Sequence, residues 1–411
     1  MSSTLKLAVK VLLRRKFFTF VSMFAVAFTL LVLLVSAAML DEIFGPNGPE
    51  NRPDRTLVVL KAESAGKESR RNGWAGYRLL SRTLPDMPGV EQSTVFAMPR
   101  KLTTYHDGRK ITCLTRRTDG EFWKVFHFEF VEGGPYDTDA EAQALPVVVL
   151  NASTRDRFFG PGPAVGKTLE LDGRRLRVVG VVRDVPTLRF LTTADVWFPT
   201  SLSRSDAYKN DLVGDFAGVM ILAPGASSKD VSAEFQRRLA AVPIDDARFD
   251  TLTSAAVPLF GAVASFFFFE QLDTKGPAVV MGVLWLMALA FMAIPALNLV
   301  NLNLSRILER ASEIGVRKSF GATSWSLVRQ FLLENIILAG IGGLHAALAA
   351  AIVLAILNRS GLIPYASLAL NGRVLGWGML LTLVFGIVSG VLPAWRMSRL
   401  HPVGALQGRF E

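Results

Sequence analysis

The chain has 411 residues, 50% of them apolar, and a mean hydropathy of +0.35, which is too hydrophobic for an ordinary soluble globule. Its formal net charge is +10, yet residues 41–275 carry 30 Lys+Arg against 31 Asp+Glu, a net of −1. The basic excess therefore flanks the apolar runs, where it orients a membrane protein and attracts anionic lipid, and no nucleic-acid footprint is present.

In chain order, residues 1–16 place Leu5, Ala8, Val9, Leu12 and Leu13 at helical spacing between Lys6, Lys10, Arg14 and Arg15. That pattern fits an amphipathic helix lying on the inner leaflet. Residues 17–40 then run without a charge. The run exceeds the about 7–15 residues of a signal-peptide core, so it reads as an uncleaved first span although Ser36-Ala37-Ala38 resembles a cleavage site.

Residues 41–275 form an extracytoplasmic segment. Its apolar and β-branched runs, at 56–60, 111–115, 146–150, 176–182 and 218–222, read as strands. Helical spacing is found around Ala75 to Leu84, Ser153 to Phe159, and Ser228 to Val242, the last with Val231, Phe235, Leu239 and Val242 on one face. The mixture predicts an α+β domain. Within it, Phe159 to Thr168 reads FGPGPAVGKT and imitates a phosphate-binding loop. The glycine such a loop needs ahead of Gly166 is replaced by Pro161, which has no N–H, and the following residues alternate around Asp172-Gly173 as a type I′ hairpin rather than a helix. The single cysteine, Cys113, forms no internal disulfide and reads as a buried small side chain, the alternative being a reactive thiol. Ser265 to Asp273, SFFFFEQLD, is either an interfacial aromatic belt or a segment packed beneath the domain.

Three more uncharged runs follow. Residues 276–305 are longer than a bilayer requires, so this second span tilts or projects outward as a stalk; Asn298 and Asn301 lie one turn apart in it and can hydrogen-bond between helices. Residues 335–358 form the third span, with Ala339, Gly343, Ala346, Ala347 and Ala350 in a small-residue stripe. Residues 374–395 form the fourth, with Gly386 and Gly390 in a GxxxG arrangement. These small faces serve packing within one subunit or a dimer seam. His345, inside the third span, reads as a neutral imidazole bonded to a neighbouring helix, the alternative being a functional titratable group. The remaining histidines, His106, His127 and His401, lack the spacing of a metal site, and no nucleophile motif occurs.

Lys and Arg concentrate in residues 1–16, 306–334 and the tail 396–411, whereas the short outer loop 359–373 carries only Arg359 and Arg373. Both termini and the 306–334 loop are therefore expected in the cytoplasm. In that loop Arg306/Glu309, Arg310/Glu313 and Glu313/Arg317 brace a helix, Gly321 ends it, and Ser324 caps a second helix leading into the third span. A short charged helical hairpin of this kind suits force transfer to a docked soluble partner.

Residues 298–334, NLVNLNLSRILERASEIGVRKSFGATSWSLVRQFLLE, closely resemble the MacB/FtsX-type permease subunits of ABC transporters. The resemblance extends to SGVLPAWRMSRLHPVGAL at 389–406 and, in the outer segment, to residues 121–135 and 157–185. It implies four transmembrane α-helices with a large α+β extracytoplasmic domain inserted between helices 1 and 2, in the bacterial inner membrane. It also implies a dimer, with itself or a paralogous permease, on a separate ABC ATPase that binds ATP and Mg, and a possible periplasmic adaptor. By the same resemblance Glu309, Arg310, Glu313, Ile314, Gly315, Val316, Arg317, Gly321 and Ala322 hold the ATPase-coupling positions. The chain itself is then no enzyme. It works by mechanotransmission, moving its outer domain to export or extract an amphipathic substrate, or alternatively to activate an extracytoplasmic enzyme such as a cell-wall hydrolase. Two departures stand out: His345 where small residues are usual, and four spans where some relatives have eight, which makes dimerisation obligatory.

Overall fold

The computed structural model describes residues 16–46, 48–268 and 323–380, with isolated positions within 279–290 and 383–387. They belong to two units: an outer one, Glu42–Met281 together with Ile363–Ser367, and a helical one that takes the rest.

The chain is described from helix α1 (Lys16–Phe44), whose sequence carries no charge between Lys16 and Asp41. The outer unit then builds one mixed sheet from thirteen strands. In order they are β1 (Thr56–Ala65), β2 (Arg70–Ala75), β3 (Val90–Ala97), β4 (Arg100–His106), β5 (Arg109–Thr118), β6 (Phe130–Gly133), β7 (Val147–Asn151), β8 (Thr168–Leu171), β9 (Arg174–Val182), β10 (Val196–Pro199), β11 (Val213–Gly214), β12 (Phe216–Leu222) and β13 (Thr251–Pro258). Interleaved with them are α2 (Tyr77–Thr83), α3 (Phe122–Val125), α4 (Thr138–Ala142), α5 (Ala152–Phe159), α6 (Ser228–Ala240) and α7 (Leu259–Phe268).

Two lobes share this sheet. In the first, β1 pairs with β2, β12 and β13, and β12 with β3, all antiparallel. Leu79 and Leu80 of α2 and Val231, Phe235 and Leu239 of α6 seal its core, so the apolar face expected for α6 is the buried one. Ser227 caps α6 by accepting the Asp230 N–H. In the second lobe the β4–β5 and β8–β9 hairpins enclose Ile111, Cys113, Leu169 and Leu176, while β7 and β10 supply Leu150 and Val196. The β8–β9 turn has φ of 56° at Asp172 and 75° at Gly173, the left-handed pair that a type I′ turn requires. Burial pushes the Cys113 thiol up to about 11, so it behaves as an inert packing group.

The lobes meet along β3 and β5, whose ladder has a single residue pair, Phe96 with Thr118. Side chains complete the joint. The Asp119 carboxylate accepts from Thr94 Oγ1 (2.6 Å) and from the backbone N–H groups of Val95 and Phe122 (2.7 and 2.9 Å). Arg116, fully buried beneath the Phe96 ring, donates to the carbonyls of Ala97, Phe190 and Thr193. Burial lowers its pKa to about 9 and raises that of Asp119 to about 6. Glu141 of α4 lies close to Asp119, and burial with that neighbouring charge lifts it to about 8.

The helical unit is assembled on small residues. Helix α8 (Ser324–Ser360) runs unbroken from the expected capping serine through the whole third apolar run. Residues 372–380 are also helical. Val26 and Leu30 of α1 pack on Ala346, a Cβ on Gly342 would lie 2.9 Å from Val26, and one on Gly343 would collide with Met379. The stripe thus packs within the subunit. His345 differs from expectation: its Nδ1 bonds the Ile341 carbonyl one turn back in its own helix (2.8 Å), and the ring is exposed. Among the described residues, α1 over Thr19–Phe44 and α8 over Leu332–Ser360 are long and apolar enough to cross a bilayer.

Of the two readings of the aromatic run before the second apolar stretch, its described part fits the packed one. Phe266 packs on Trp74 and Phe190, with ring centroids 5.6 and 5.2 Å away, so it lies under the domain rather than in a belt.

Two outcomes follow. Gly342→Leu should lower the thermal midpoint in detergent, an overpacking effect of about 1–3 kcal/mol, whereas Gly340→Leu, whose Cβ meets open space, should not; equal midpoints would contradict this packing. Asp119 and Glu141 have folded pKa values above their ordinary ones, so the stabilisation they give is complete below the unfolded carboxylate pKa and is lost as pH rises through about 6 and about 8. The outer unit's melting temperature should therefore fall from about pH 4, the ordinary carboxylate range, to about 8, and Glu141→Gln should flatten the upper part of that fall, above about pH 6; a variant that tracks wild type excludes Glu141 as its source.

Candidate functional site

The loop of residues 183–195, between β9 and β10, ties together segments that lie far apart in the chain. The loop is folded by its own turns: Arg189 N–H donates to the Pro186 carbonyl, and the Thr192 and Thr193 N–H groups both donate to the Arg189 carbonyl. Its far end is held where Asp195 N–H meets the Leu114 carbonyl (2.7 Å) and the Asp195 carboxylate takes the Leu114 N–H (2.8 Å).

This loop grips the chain that leaves α1. Arg189, 3% exposed, donates to the Gly45 carbonyl (2.9 Å) and lies 4.0 Å from Glu50, whose carboxylate accepts from Thr192 Oγ1 (2.9 Å). Gly48 makes the approach possible, because a Cβ there would collide with the Arg189 guanidinium. Burial raises the Glu50 pKa, opposed first by Arg189, then by the Thr192 hydroxyl and Arg116. Beside this polar centre Ile43 and Phe44 join the core of the lobe joint, with Phe44 5.5 Å from the Phe260 ring.

The same core roots the chain where it leaves the outer unit. Leu259, Ala262 and Val263 of α7 are buried in it, Lys61 Nζ donates to the Ser265 carbonyl (3.0 Å), and Phe266 packs at a tilt on Phe190 of the loop. The incoming and outgoing segments, about two hundred residues apart in sequence, are thereby fixed to one loop. Nothing local in the sequence marks this, since Arg189, Glu50 and Gly48 have ordinary neighbours.

Between the lobes lies a cleft of about 470 Å³. Asp215 bridges Arg100 and Arg117 across its wall (2.7 and 2.9 Å), and Tyr208 covers the Arg117 guanidinium. The phosphate-loop imitation has no such role. Its amides are committed within the domain, Ala164 N–H to Glu132, Gly166 N–H to the Val178 carbonyl and Lys167 N–H to the Ala164 carbonyl, and strand β8 follows it. Among the described residues no cluster of three or more His, Cys, Asp or Glu could hold a metal ion.

Of the residues singled out from sequence, Gly343 is placed in the helix contact described above. The coupling positions Glu309, Arg310, Glu313, Ile314, Gly315, Val316, Arg317, Gly321 and Ala322, and the packing positions Asn298, Asn301, Gly386 and Gly390, lie outside the described residues.

Comparison with known proteins gives the family. Residues 19–238 match the MacB-like periplasmic core domain and residues 285–402 the FtsX-like permease C-terminal family. The ABC transporter permease YknZ of Bacillus subtilis is 23% identical over 80% of this chain and 77% of its own length. A macrolide export ATP-binding/permease protein, MacB 1 of Yersinia pestis, is 27% identical over 70% of this chain; the alignment covers 42% of that protein, so the chain spans less than half the length of its MacB relatives. Among solved structures, the periplasmic region of MacB from Actinobacillus actinomycetemcomitans aligns with 46% of this chain and 84% of its own at 16% identity and a TM-score of 0.37. With the first family matched over more than half of its residues, the chain belongs to the MacB/FtsX-type ABC transporter permeases.

Proposed function

We propose that the chain is the membrane subunit of an ABC transporter that converts ATP hydrolysis on a separate ATPase into movement of its outer domain, and so exports or extracts an amphipathic substrate. It crosses the inner membrane four times, with both termini and the 306–334 loop in the cytoplasm. It dimerises with itself or a paralogous permease, and an extracytoplasmic adaptor is a further candidate partner. The ATPase engages Glu309, Arg310, Glu313 to Arg317, Gly321 and Ala322, and ATP and Mg are bound on that partner.

The observation that carries the reading is the rooting of two chain crossings in one buried core. A soft connection would dissipate a displacement of α1 in the outer unit. The connection here is closed by the Arg189 bond to Gly45, the Glu50 carboxylate and the packing of Phe44 and Phe260, and a close-packed interior transmits strain. In the cytoplasmic loop, Glu313 and Arg317 stand four apart in the acid-first order that would brace a helix. The names of the MacB relatives, which are macrolide export proteins, support an apolar or amphipathic cargo.

The test is ATPase activity in lipid nanodiscs, with this chain alone and with the ATPase encoded beside it. The chain alone should be inactive, and Glu313→Ala should lower the rate of the pair by at least about fivefold, the scale of an ordinary coupling energy. A partner that fails to bind, or a rate indifferent to Glu313→Ala, would sink the proposal.

A further inference from the structure

The outer unit includes a third piece of chain. Ile363–Ser367, within what the sequence presents as a short loop after the third apolar run, belongs to it, whereas the residues on either side belong to the helical unit. The segment is seated by specific bonds. Thr187 N–H donates to the Pro364 carbonyl (3.2 Å), and the Tyr365 hydroxyl donates to Asp195 Oδ1 (2.9 Å). Asp195 is itself fixed by the Leu114 N–H, by Asn151 Nδ2 (3.3 Å) and by Arg157 (3.4 Å). Tyr365 holds a left-handed backbone, φ 61°, a conformation that a tyrosine keeps only when its surroundings impose it. Outside the seat, Asn358 closes the base of the loop reciprocally, Nδ2 to the Leu368 carbonyl (2.9 Å) and Leu368 N–H to Oδ1 (3.0 Å). Both contact points, Thr187 and Asp195, lie in the 183–195 loop that already holds Gly45, Glu50 and Phe266.

We propose that Ile363–Ser367 is a strap that remains seated on the 183–195 loop throughout the ATPase cycle and carries displacement between the outer domain and the chain from α8 to residues 372–380, so that three connections share the load. The strap rests on the mechanotransmission reading. Its tension is set by length: the reciprocal Asn358 bonds leave little free chain between the seat and the helical residues on either side. Slack there would uncouple the strap without removing a single contact of the seat.

The experiment uses the full chain with its partner ATPase in nanodiscs. Hydrogen exchange is followed at the Thr187 amide without nucleotide and in the ATP–vanadate state. A seated strap keeps that amide equally protected in both; a rise of about tenfold in the trapped state shows release and overturns the proposal. In a second arm, flexible Gly-Ser segments are inserted after Leu362 and after Ser367. Thr187 should remain protected, while the ATPase rate of the pair departs from wild type by at least about fivefold. An unchanged rate with Glu313→Ala still inhibitory overturns the strap alone. An unchanged rate in both variants overturns the mechanotransmission reading with it. The Tyr365→Phe variant, which deletes only the hydroxyl, should raise Thr187 exchange, and unaltered exchange would show that the tyrosine does not hold the seat.

Discussion

A buried arginine beside a buried carboxylate is the constraint on which the outer domain depends. Arg189 and Glu50 are both nearly inaccessible, and ions so placed are tolerated only where their charges and hydrogen-bonding groups find partners. The partners here are backbone and hydroxyl groups of segments far apart in sequence: Gly45 after α1, Thr192 in the 183–195 loop, and Arg116 from β5 nearby. Partnering the charges therefore brings those segments together, with Arg189 Nη1 facing Glu50 at 4.0 Å as an ion pair without a hydrogen bond. Breaking one contact strands a charge in an apolar interior, so the arrangement resists partial opening and suits a place where the chain must bear load.

Rigidity is unevenly distributed. Around the 183–195 loop the packing is aromatic and interlocked, Phe96, Phe122, Trp123, Phe126 and Trp197 meeting edge to face. Along the lobe joint the backbone contributes one ladder pair, the aromatic core packs across it, and polar side chains add to both: Asp119, Arg116, and Asp215 between Arg100 and Arg117. Polar contacts of this kind have discrete alternatives, whereas a close-packed core does not.

Much of the architecture was legible because its causes are local. Five strand runs, the amphipathic face of α6, the Asp172-Gly173 turn and the small-residue stripe of α8 follow from spacing and from the conformations that particular residues favour. Strands β2 and β4 were not legible, since RRNGWA and RKLTTYH lack an apolar run and are held by pairing with β1 and β5. The junction itself was invisible for a different reason. Arg189, Glu50 and Gly48 acquire meaning only through contacts across long separations, and the seat of Tyr365 depends on Asp195, far earlier in the chain. His345 found a partner in its own helix, the Ile341 carbonyl one turn back.

The core of the second lobe is drawn from one continuous stretch, Ile111 to Leu202, whereas that of the first comes from two pieces, Leu57 to Ala97 and Val213 to Ala256. The second lobe is thus a nested insertion, placed inside a domain that is itself an insertion within the helical unit. The 183–195 loop belongs to that innermost stretch, yet it holds Gly45, Glu50, Phe266 and Pro364, so a change in the inner level reaches the chain entering and leaving its hosts directly.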